Sequence, residues 1–525
     1  MASGRIGLDP ARPAAARAWL APSRSGQRSL ASAPREAFDV RGGAGGCWQL
    51  TFSTVSGALP LGLLSWQLFG GRLGYHSGRL SARRRIIPRS CRAEGNAGNP
   101  APSTGIDTAG PAVWPSLMLF VGPAYALVVT NMILTAVDKA FVGRISSVQL
   151  AALGPAAAVF DCCSYLLTFL NTATLSLLGS SPSNEKSRVR SHALIFSVAL
   201  GAMLGALMLL QASPAVRLVG ASQQMLPYSI LYLQIRALGS PIDRMGSVAT
   251  QFCLAEKDGI TPMLATLIAA VFNAVGDYLL CPRYGLGGAA IATVAASATS
   301  LVFIVYRLRL KGLWPALTLP GLEDLKPFTS FAGLVFLILL LKITSFTVMT
   351  GSATVLGTAP AAAHQVLVSV LFVAGIAFGQ PLSWAAQSFL PGATKQPERR
   401  RTEGALVAVS LVFMCLGILV AGLLASNPSI FTQDLPVLRE VRKAAAPCVA
   451  FSALYVAFLA LEGVAIAKQR LRACVVIATA VAGGGVLAIW TLRVKGLLTL
   501  ASLWTSQAAL LALGTATAAI VACRR

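Results

Sequence analysis

The stretch KGLWPALTLPGLEDLK, residues 311–326, is the longest polar break in the chain after residue 113. Its prolines and glycines stop a helix. A series of hydrophobic segments lies on each side of it, at 113–311 and at 328–523. We therefore interpret residues 312–327 as a linker between two lobes.

The two hydrophobic series predict a membrane protein. The mean hydropathy is +0.68, 55% of residues are hydrophobic and only 12% are charged. Segments of 18 or more apolar residues are long enough to cross a bilayer as helices. The sequence predicts an all-α polytopic protein with twelve transmembrane helices in two six-helix lobes. The predicted spans are about 113–136, 149–178, 191–211, 226–249, 261–281, 288–308, 328–351, 361–388, 404–425, 444–467, 472–491 and 496–522.

The second half repeats the first at a shift of about 211 positions. Lys257 then coincides with Lys468, and Gly285 with Gly496. Because each half has an even number of spans, both copies have the same orientation, related by a pseudo-two-fold axis along the membrane normal. This arrangement predicts a central cleft and a transporter whose lobes rock around it. A duplicated scaffold without a transport role is the alternative.

The repeat is not symmetric in its acidic residues. A carboxylate at the bilayer centre costs roughly 2.5–3.5 kcal/mol on insertion scales, so such groups face protein, water or a cation. Asp138 lies at the end of the first predicted span, and Asp277 lies within the fifth. The second half has no acid at the matching positions. Their repeat partners, and that of Asn273, are neutral. The pairs are Asp138 with Met349, Asn273 with Gly484, and Asp277 with Ala488.

These acids and the nearby amide are candidates for an ion site. Asn273 and Asp277 are four residues apart, so they lie on one face of a helix. Two carboxylates with an amide oxygen suit Na⁺ or a shared proton. The alternative is that Asp138 caps a loop beside Lys139 while Asp277 only forms hydrogen bonds within the bundle.

The first 105 residues differ in composition from the rest. They contain fourteen Arg, no Lys and four acidic residues. That composition is typical of an organelle transit peptide. We expect a disordered plastid transit peptide over 1–92, a short segment over 93–112, and residence in the plastid envelope, with a mitochondrial membrane as the alternative. A basic disordered tail is the other interpretation of this region.

Several functional classes are not supported. The net charge is +24, but the excess lies in the predicted presequence and in loops, which does not favour nucleic-acid binding. No CxxC occurs and there are three His, which disfavours a structural zinc site. No GxxxxGK[ST] loop is present, so ATP-driven pumping is not indicated.

Short motifs around the candidate site are shared with a known family. Val137–Gly143 and Leu150–Pro155 resemble the first two spans of multidrug and toxic compound extrusion (MATE) transporters. The resemblance covers about 110–520 and is closest to the plant plastid branch, which includes an envelope salicylate exporter. Further matches to the family or to this branch are Asn273 with Asp277, Gly288–Thr293, Ala362–Val366, Gln380–Ser383 with Gln387, Leu461–Gly463, Phe160–Tyr165 and Tyr232–Leu238.

The resemblance implies secondary antiport. A cation, H⁺ or Na⁺, would move down its gradient while a small organic solute, an organic anion or a xenobiotic, moves out. It implies no cofactor, and we expect a monomer in the lipid bilayer. The coupling-ion residues carried over from the family are Asp138, Asn273, Asp277, Thr293 and the backbone near Ala289.

The chain departs from the family on span 7. Many members carry a carboxylate there, whereas this chain has Lys342. Lys342 could replace a cation in the C-lobe or pair with an organic anion; alternatively it pairs structurally with Glu462 or snorkels. Gln251, the repeat partner of Glu462, and Gln380 and Gln387, on one face of span 8, are further candidates for the cleft.

Other charged residues and other functions receive less support. We interpret Asp161 and the neighbouring Asp243 and Arg244 as local ion pairs or bundle hydrogen bonds. A flippase for lipid-linked precursors would line its cleft with many Arg. An intramembrane transferase would need clustered Asp with Mg²⁺ or a His-rich metal set. Neither pattern occurs in the apolar spans.

Overall fold

Helices account for most of the chain described by the computed structural model, which covers residues 113–393 and 395–523. The predicted segments 1–92 and 93–112 lie outside the described residues. The helices are α1 (Val113–Ile145), α2 (Ser147–Leu166), α3 (Thr168–Ser180), α4 (Lys186–Leu218), α5 (Leu226–Ala255), α6 (Ile260–Tyr284), α7 (Leu286–Leu310), α8 (Leu322–Val355), α9 (Thr358–Leu371), α10 (Ala377–Phe389), α11 (Gln396–Ser426), α12 (Leu435–Ala467), α13 (Leu471–Val494) and α14 (Leu500–Cys523).

Two of the predicted spans are broken in the middle. The second span consists of α2 and α3, which meet at Leu167, and the eighth consists of α9 and α10, joined by a π-helical turn, Phe372–Ile376. The described helices therefore form twelve spans. Eleven are long and apolar enough to cross a membrane. The span that falls short is α5, which carries Arg236, Asp243 and Arg244.

Both halves pack their helices in the same pairs. In the first half α1 packs on α6, α4 on α5, and α7 on both α5 and α6. In the second half α8 packs on α13, α11 on α12, and α14 on both α12 and α13. The turns repeat as well: Gly285 and Gly496 have φ of 56° and 67°. At the other repeated turn, Lys257 has a φ of 61° and Gln469 a φ of 59°. The sequence predicts Lys468 as the partner of Lys257, so the repeat shift at this turn is one residue longer than predicted.

The polar break between the halves is shorter than 312–327. Helix α8 begins at Leu322, because the last residues of the polar stretch continue into the apolar helix. The non-helical residues are fixed to the start of α4. The Ser191 hydroxyl donates to the Thr318 carbonyl at 3.1 Å, and the Thr318 amide donates to the Ser191 oxygen at 2.7 Å.

Helices from both halves share one buried apolar cluster. Phe120 on α1 meets Phe389 on α10 edge-to-face, with ring centroids 5.6 Å apart. The ring centroids of Tyr125 on α1 and Phe378 on α10 lie 4.7 Å apart. Gly179 on α3 permits the closest approach, because a Cβ atom there would lie 2.8 Å from the backbone oxygen of Gln387 on α10.

Two repeat-related turns extend this contact. The Gln469 amide donates to the Ser176 hydroxyl on α3 at 3.1 Å. The Lys257 ammonium lies 4.7 Å from the centroid of the Phe389 ring on α10. Each turn residue has a positive φ although neither is glycine, a conformation that persists where surrounding contacts hold it. We call these four residues the inter-lobe latch. It joins the halves at the end of the bundle that holds the turn after α5 and the turn after α12.

A cross-link across the inter-lobe latch should hold the protein in this conformation. We expect Ser176→Cys/Gln469→Cys, in a background without other cysteines, to be joined by a short bis-methanethiosulfonate reagent, because the gap that the Gln469 side chain now spans lies between the two thiols. Solute flux should fall on treatment and recover when the mixed disulfides are reduced. Each single Cys variant is the control, and efficient flux by the fully cross-linked pair would show that the latch does not open during transport.

Asp258 joins three parts of the chain in the turn between α5 and α6. It accepts hydrogen bonds from the Thr261 amide at 3.0 Å and from the Thr261 hydroxyl, and it pairs with Lys311 after α7. Burial raises the pKa of Asp258, but the bonds from Lys311 and Thr261 outweigh it and leave the pKa below its usual value. Ionised Asp258 therefore stabilises the folded turn.

Replacing this carboxylate should reduce stability and alter its pH dependence. We expect Asp258→Asn to destabilise the protein by about 1 kcal/mol at neutral pH. Since the folded pKa lies below the unfolded one, the contribution is present above about pH 4 and is lost as pH falls through the folded pKa. Thermal unfolding in detergent against pH measures this. Glu323→Gln, which removes an exposed ion pair with Lys326, is the control. Parallel profiles for wild type and Asp258→Asn would contradict the assignment.

Candidate acidic site in the first half

Three of the predicted residues meet between α1 and α6. The Asn273 amide nitrogen donates to Asp138 Oδ1 and, at 3.1 Å, to Asp277 Oδ2. The side chains of Asn273 and Asp277 are fully buried, and Asp138 is half-buried. The amide therefore bridges two carboxylates that apolar helices bring into one interior.

The two carboxylates lie side by side. Asp138 and Asp277 both accept from the Asn273 amide nitrogen, and two like charges so close together in a buried place favour a proton on one of them. The Cys281 thiol lies 3.8 Å from Asp277 Oδ1. The Asn273 Oδ1 atom is buried and has no hydrogen-bond partner within the described part of the chain. The site can thus hold a proton between its acids and presents a further oxygen acceptor.

The remaining two predicted residues lie on the neighbouring helix. The Thr293 hydroxyl donates to the Ala289 carbonyl at 2.8 Å within α7. Helix α7 packs tightly on α6 at Gly276, where a Cβ atom would lie 2.8 Å from that of Ala292. Over residues 113–393 and 395–523, Thr293 is bonded to its own helix rather than to either carboxylate.

The equivalent positions of the second half carry no acid. Met349 and Trp504 are the repeat partners of Asp138 and Thr293, and both are buried. The Trp504 ring packs against His364 and Phe451, with ring centroids 5.6 and 5.7 Å away. Large side chains therefore fill the second half where the first half has its acids.

The second half has a different buried charge pair. The Lys342 ammonium on α8 lies 2.7 Å from Glu462 Oε2 on α12. Their side chains are 15% and 10% exposed. Of the alternatives that the sequence left open, the structure shows the pairing with Glu462. A cavity of about 50 Å³ adjoins the pair, which is too small for an organic solute in this conformation.

Comparison with known proteins shows which proteins this chain is similar to. The MatE family model matches residues 123–279, a range that contains Asp138, Asn273 and Asp277. The chain is 28% identical over 372 residues to Protein DETOXIFICATION 47, chloroplastic, of Arabidopsis thaliana, covering 68% of each protein. It is 27% identical to Protein DETOXIFICATION 44, chloroplastic, of the same plant, covering 60% of this chain and 65% of that one. The chain is therefore similar in sequence to the MATE family.

Solved MATE structures share the fold. A Vibrio cholerae MATE transporter in the bent form superposes with a TM-score of 0.68 at 18% identity, covering 78% of this chain and 96% of that one. A MOP superfamily transporter from Pyrococcus furiosus gives 0.67 at 19% identity, with coverages of 78% and 94%. These likenesses confirm the predicted fold class of twelve helices in two lobes, here α1–α7 (N-lobe) and α8–α14 (C-lobe).

The charged residues of α5 form a local ion pair and a hydrogen bond within the bundle, as the sequence predicts for Asp243 and Arg244. Asp243 pairs with Arg236 at 3.4 Å. Residues seven apart share a helix face, whereas adjacent residues do not. The Arg236 guanidinium also lies 4.2 Å from the Phe160 ring, and Arg244 donates to the Ser164 carbonyl at 3.2 Å. The two-turn spacing was the signal that could have identified Arg236.

Two of the three glutamines predicted for the cleft bond to their own helices. Gln251 and Gln387 are buried, and each amide donates to its own helix, to the carbonyls of Ser247 and Ser383 at 3.4 and 3.2 Å. Gln380 is half-buried on α10. In this conformation these residues belong to helix contacts, and their role in the cleft stays a prediction.

Removing the bridging amide should destabilise the acidic site. We expect Asn273→Ala to cost about 1–3 kcal/mol, because both buried carboxylates lose a hydrogen-bond donor. Thermal unfolding in detergent measures the loss. Asn131→Ala, exposed on α1, is the matched control and should change stability by less than about 0.5 kcal/mol. Equal stability of the two variants would contradict a bridging role for Asn273.

Proposed function

We propose that this MATE-like protein is a secondary antiporter that exports a small organic solute in exchange for a cation, by alternating access of its two lobes. The observation that supports this most directly is the buried set of Asp138, Asn273 and Asp277 in the N-lobe alone. Intramembrane carboxylates at such positions are typical of ion pathways and proton relays.

We propose H⁺ as the coupling ion. Asp138 and Asp277 lie close enough to favour a proton on one of them, and Asn273 turns N–H groups rather than its oxygen toward both acids. A Na⁺ site would instead need several oxygen atoms directed at one point. Loss of the proton leaves two like charges in a low-dielectric interior, where their repulsion is strong.

Helix α1 connects the acidic site to the contact between the lobes. Asp138 lies toward one end of α1, while Phe120 and Tyr125 contact α10 from the other end. Pro123 lies within this helix, and a proline in a transmembrane helix removes a backbone hydrogen bond and permits bending. Protonation would thus favour one position of α1, and deprotonation another, which shifts the balance between closed and open inter-lobe contacts.

We propose that the transporter resides in the plastid envelope. The printed names of its relatives DETOXIFICATION 47 and 44 describe them as chloroplastic. The Arg-rich, Lys-free composition of residues 1–105 has the character of a transit peptide.

The coupling proposal is tested by flux in proteoliposomes. Proton and sodium gradients are imposed separately, with salicylate as an anionic probe and ethidium as a cationic one. We expect the proton gradient to drive flux, and Asp277→Asn to lower that flux about tenfold or more because it can no longer lose a proton. Ala488→Asn, at the repeat-related position, is the matched control and should retain flux.

Two results would contradict the proposal. One is flux by Asp277→Asn equal to that of wild type under the proton gradient. The other is the absence of flux of either probe under both gradients. Flux under the sodium gradient alone would retain antiport but replace H⁺ as the coupling ion.

A further inference from the structure

The outer face of the C-lobe carries an apolar groove between α11 and α12. The groove has a volume of about 480 Å³ and is lined by small or apolar side chains and one serine, with Gly422, Ala446 and Ala453 among them. Ala446 is exposed, and so is Leu419, which follows a lining residue of α11. An exposed apolar surface of this kind marks a place where a membrane protein meets lipid or a partner.

Helix packing does not account for the glycine in this groove. Gly417 permits close packing, because a Cβ atom there would lie 2.7 Å from the backbone oxygen of Ala374. A Cβ atom on Gly422 would meet no neighbouring heavy atom within 4 Å in the part of the chain that the structure describes. Glycine weakens a helix relative to alanine. The open space beside Gly422 therefore has a reason other than contact between helices.

An arginine lies in line with the groove on α12. One face of this helix contains, at three- and four-residue spacing, Arg442, Ala446, Val449 and Ala453. The last three line the groove itself. Arg442 is exposed and stands just before the apolar segment 444–467. It therefore lies at the end of the groove, where the membrane-spanning part of α12 begins.

The charge of Arg442 is not neutralised by a neighbouring acid. The adjacent Lys443 pairs with Glu440 at 2.6 Å. Over residues 113–393 and 395–523, Arg442 has no acidic partner, and Arg439, one turn nearer the loop, has none either. Two guanidinium groups thus stand at the end of an apolar groove, a combination that suits a ligand with an anionic head and an apolar chain.

The length of the groove matches one leaflet of a bilayer. From Arg442 to Ala453 the helix rises by about 16 Å, at about 1.5 Å per residue. The hydrocarbon core of a bilayer is about 30 Å thick, so one leaflet contributes about 15 Å. An acyl chain that starts beside Arg442 would therefore end near Ala453, with its headgroup at the membrane surface.

The first half lacks both parts of this feature. Helices α4 and α5 are the repeat partners of α11 and α12. At the repeat shift of about 211 positions, the matching pairs are Arg442 with Leu231, Gly422 with Gln211, and Ala446 with Ile235. Larger side chains thus stand where the C-lobe has its groove, and an uncharged one stands where it has its arginine.

We propose that the groove between α11 and α12 binds one phospholipid with an anionic headgroup. An acyl chain lies along Gly422 and Ala446 toward Ala453. The phosphate accepts hydrogen bonds from Arg442, and Arg439 adds positive charge beside it. The lipid is a bound partner of the C-lobe, not a transported solute, so this site goes beyond the proposed function and does not depend on it.

The test is native mass spectrometry of the purified full chain in detergent, with dioleoyl phosphatidylglycerol or dioleoyl phosphatidylcholine at equal concentration. These lipids share their acyl chains and differ in headgroup charge. We expect the wild type to retain one phosphatidylglycerol with an affinity about tenfold higher than for phosphatidylcholine, because each arginine near an anionic headgroup strengthens binding several-fold.

A paired substitution tests the headgroup contact. Arg439→Gln/Arg442→Gln should lower the affinity for phosphatidylglycerol to about that for phosphatidylcholine. Arg493→Gln/Lys495→Gln is the matched control. It removes two exposed cations from the end of α13, on the same side of the bundle and away from the groove, and it should bind both lipids as the wild type does.

A second substitution fills the groove. Gly422→Leu should lower the affinity for phosphatidylglycerol by about tenfold or more, because the acyl chain loses buried contacts. Gly404→Leu, at an exposed position of the same helix where a Cβ atom also meets nothing within 4 Å, should bind as the wild type does. Thermal unfolding checks that each variant folds. If Gly422→Leu does not, Ala446→Leu replaces it at an exposed position and carries the same expectation.

Four outcomes would overturn the proposal. They are equal affinity of the wild type for the two lipids, equal phosphatidylglycerol binding by Gly422→Leu and Gly404→Leu, and equal losses in the two paired charge variants. The fourth is a dimer of the chain that Gly422→Leu dissociates without changing lipid retention, which would assign the groove to a second copy. Because no transport is measured, a failure of proton-driven flux leaves this result unaffected, and the reverse also holds.

Discussion

A carboxylate inside a bilayer must be neutralised by the protein that surrounds it, and this constraint shapes both lobes. In the N-lobe, Asp138 and Asp277 share an amide donor, and their closeness favours a proton on one of them. In the C-lobe, Glu462 is neutralised by the Lys342 ammonium. A proton can leave its site, whereas an ammonium on a side chain cannot. The same constraint thus produces an exchangeable charge in one lobe and a permanent one in the other.

The helices that hold these groups also form the contact between the lobes. α1 carries Asp138 and, toward its other end, Phe120 against α10. α12 carries Glu462 and leads into the turn where Gln469 reaches Ser176. Each of these helices therefore links a buried acid at one position to an inter-lobe contact at another. Lys257 and Gln469 hold non-glycine turns at positive φ, which confines them to the geometry that the closed contact needs.

The sequence was most informative where a physical cost made a residue stand out. Asp138, Asn273 and Asp277 were predicted to converge because acids in apolar spans need partners, and α1 and α6 bring them together. The twelve-span fold followed from hydropathy in the same way. Contacts that depend on side-chain direction were not predicted. Asp243 pairs with Arg236 two turns away, a partner that the sequence interpretation did not name. Lys342 pairs with Glu462, which was one of several open alternatives. The inter-lobe latch had no marker, since its positive-φ residues are not glycines.

The asymmetry between the lobes explains why a duplicated fold need not couple two ions. Had both copies kept their acids, each lobe would carry a charge that changes during the cycle, and both would tend to rearrange. Trp504 and Met349 instead fill the C-lobe interior with side chains that do not ionise near neutral pH, and Lys342 fixes the charge of Glu462. A close-packed interior with constant charge has one preferred packing. In the proton-coupled antiport that we propose, the C-lobe then serves as the fixed surface against which the N-lobe moves when Asp138 and Asp277 gain or lose a proton.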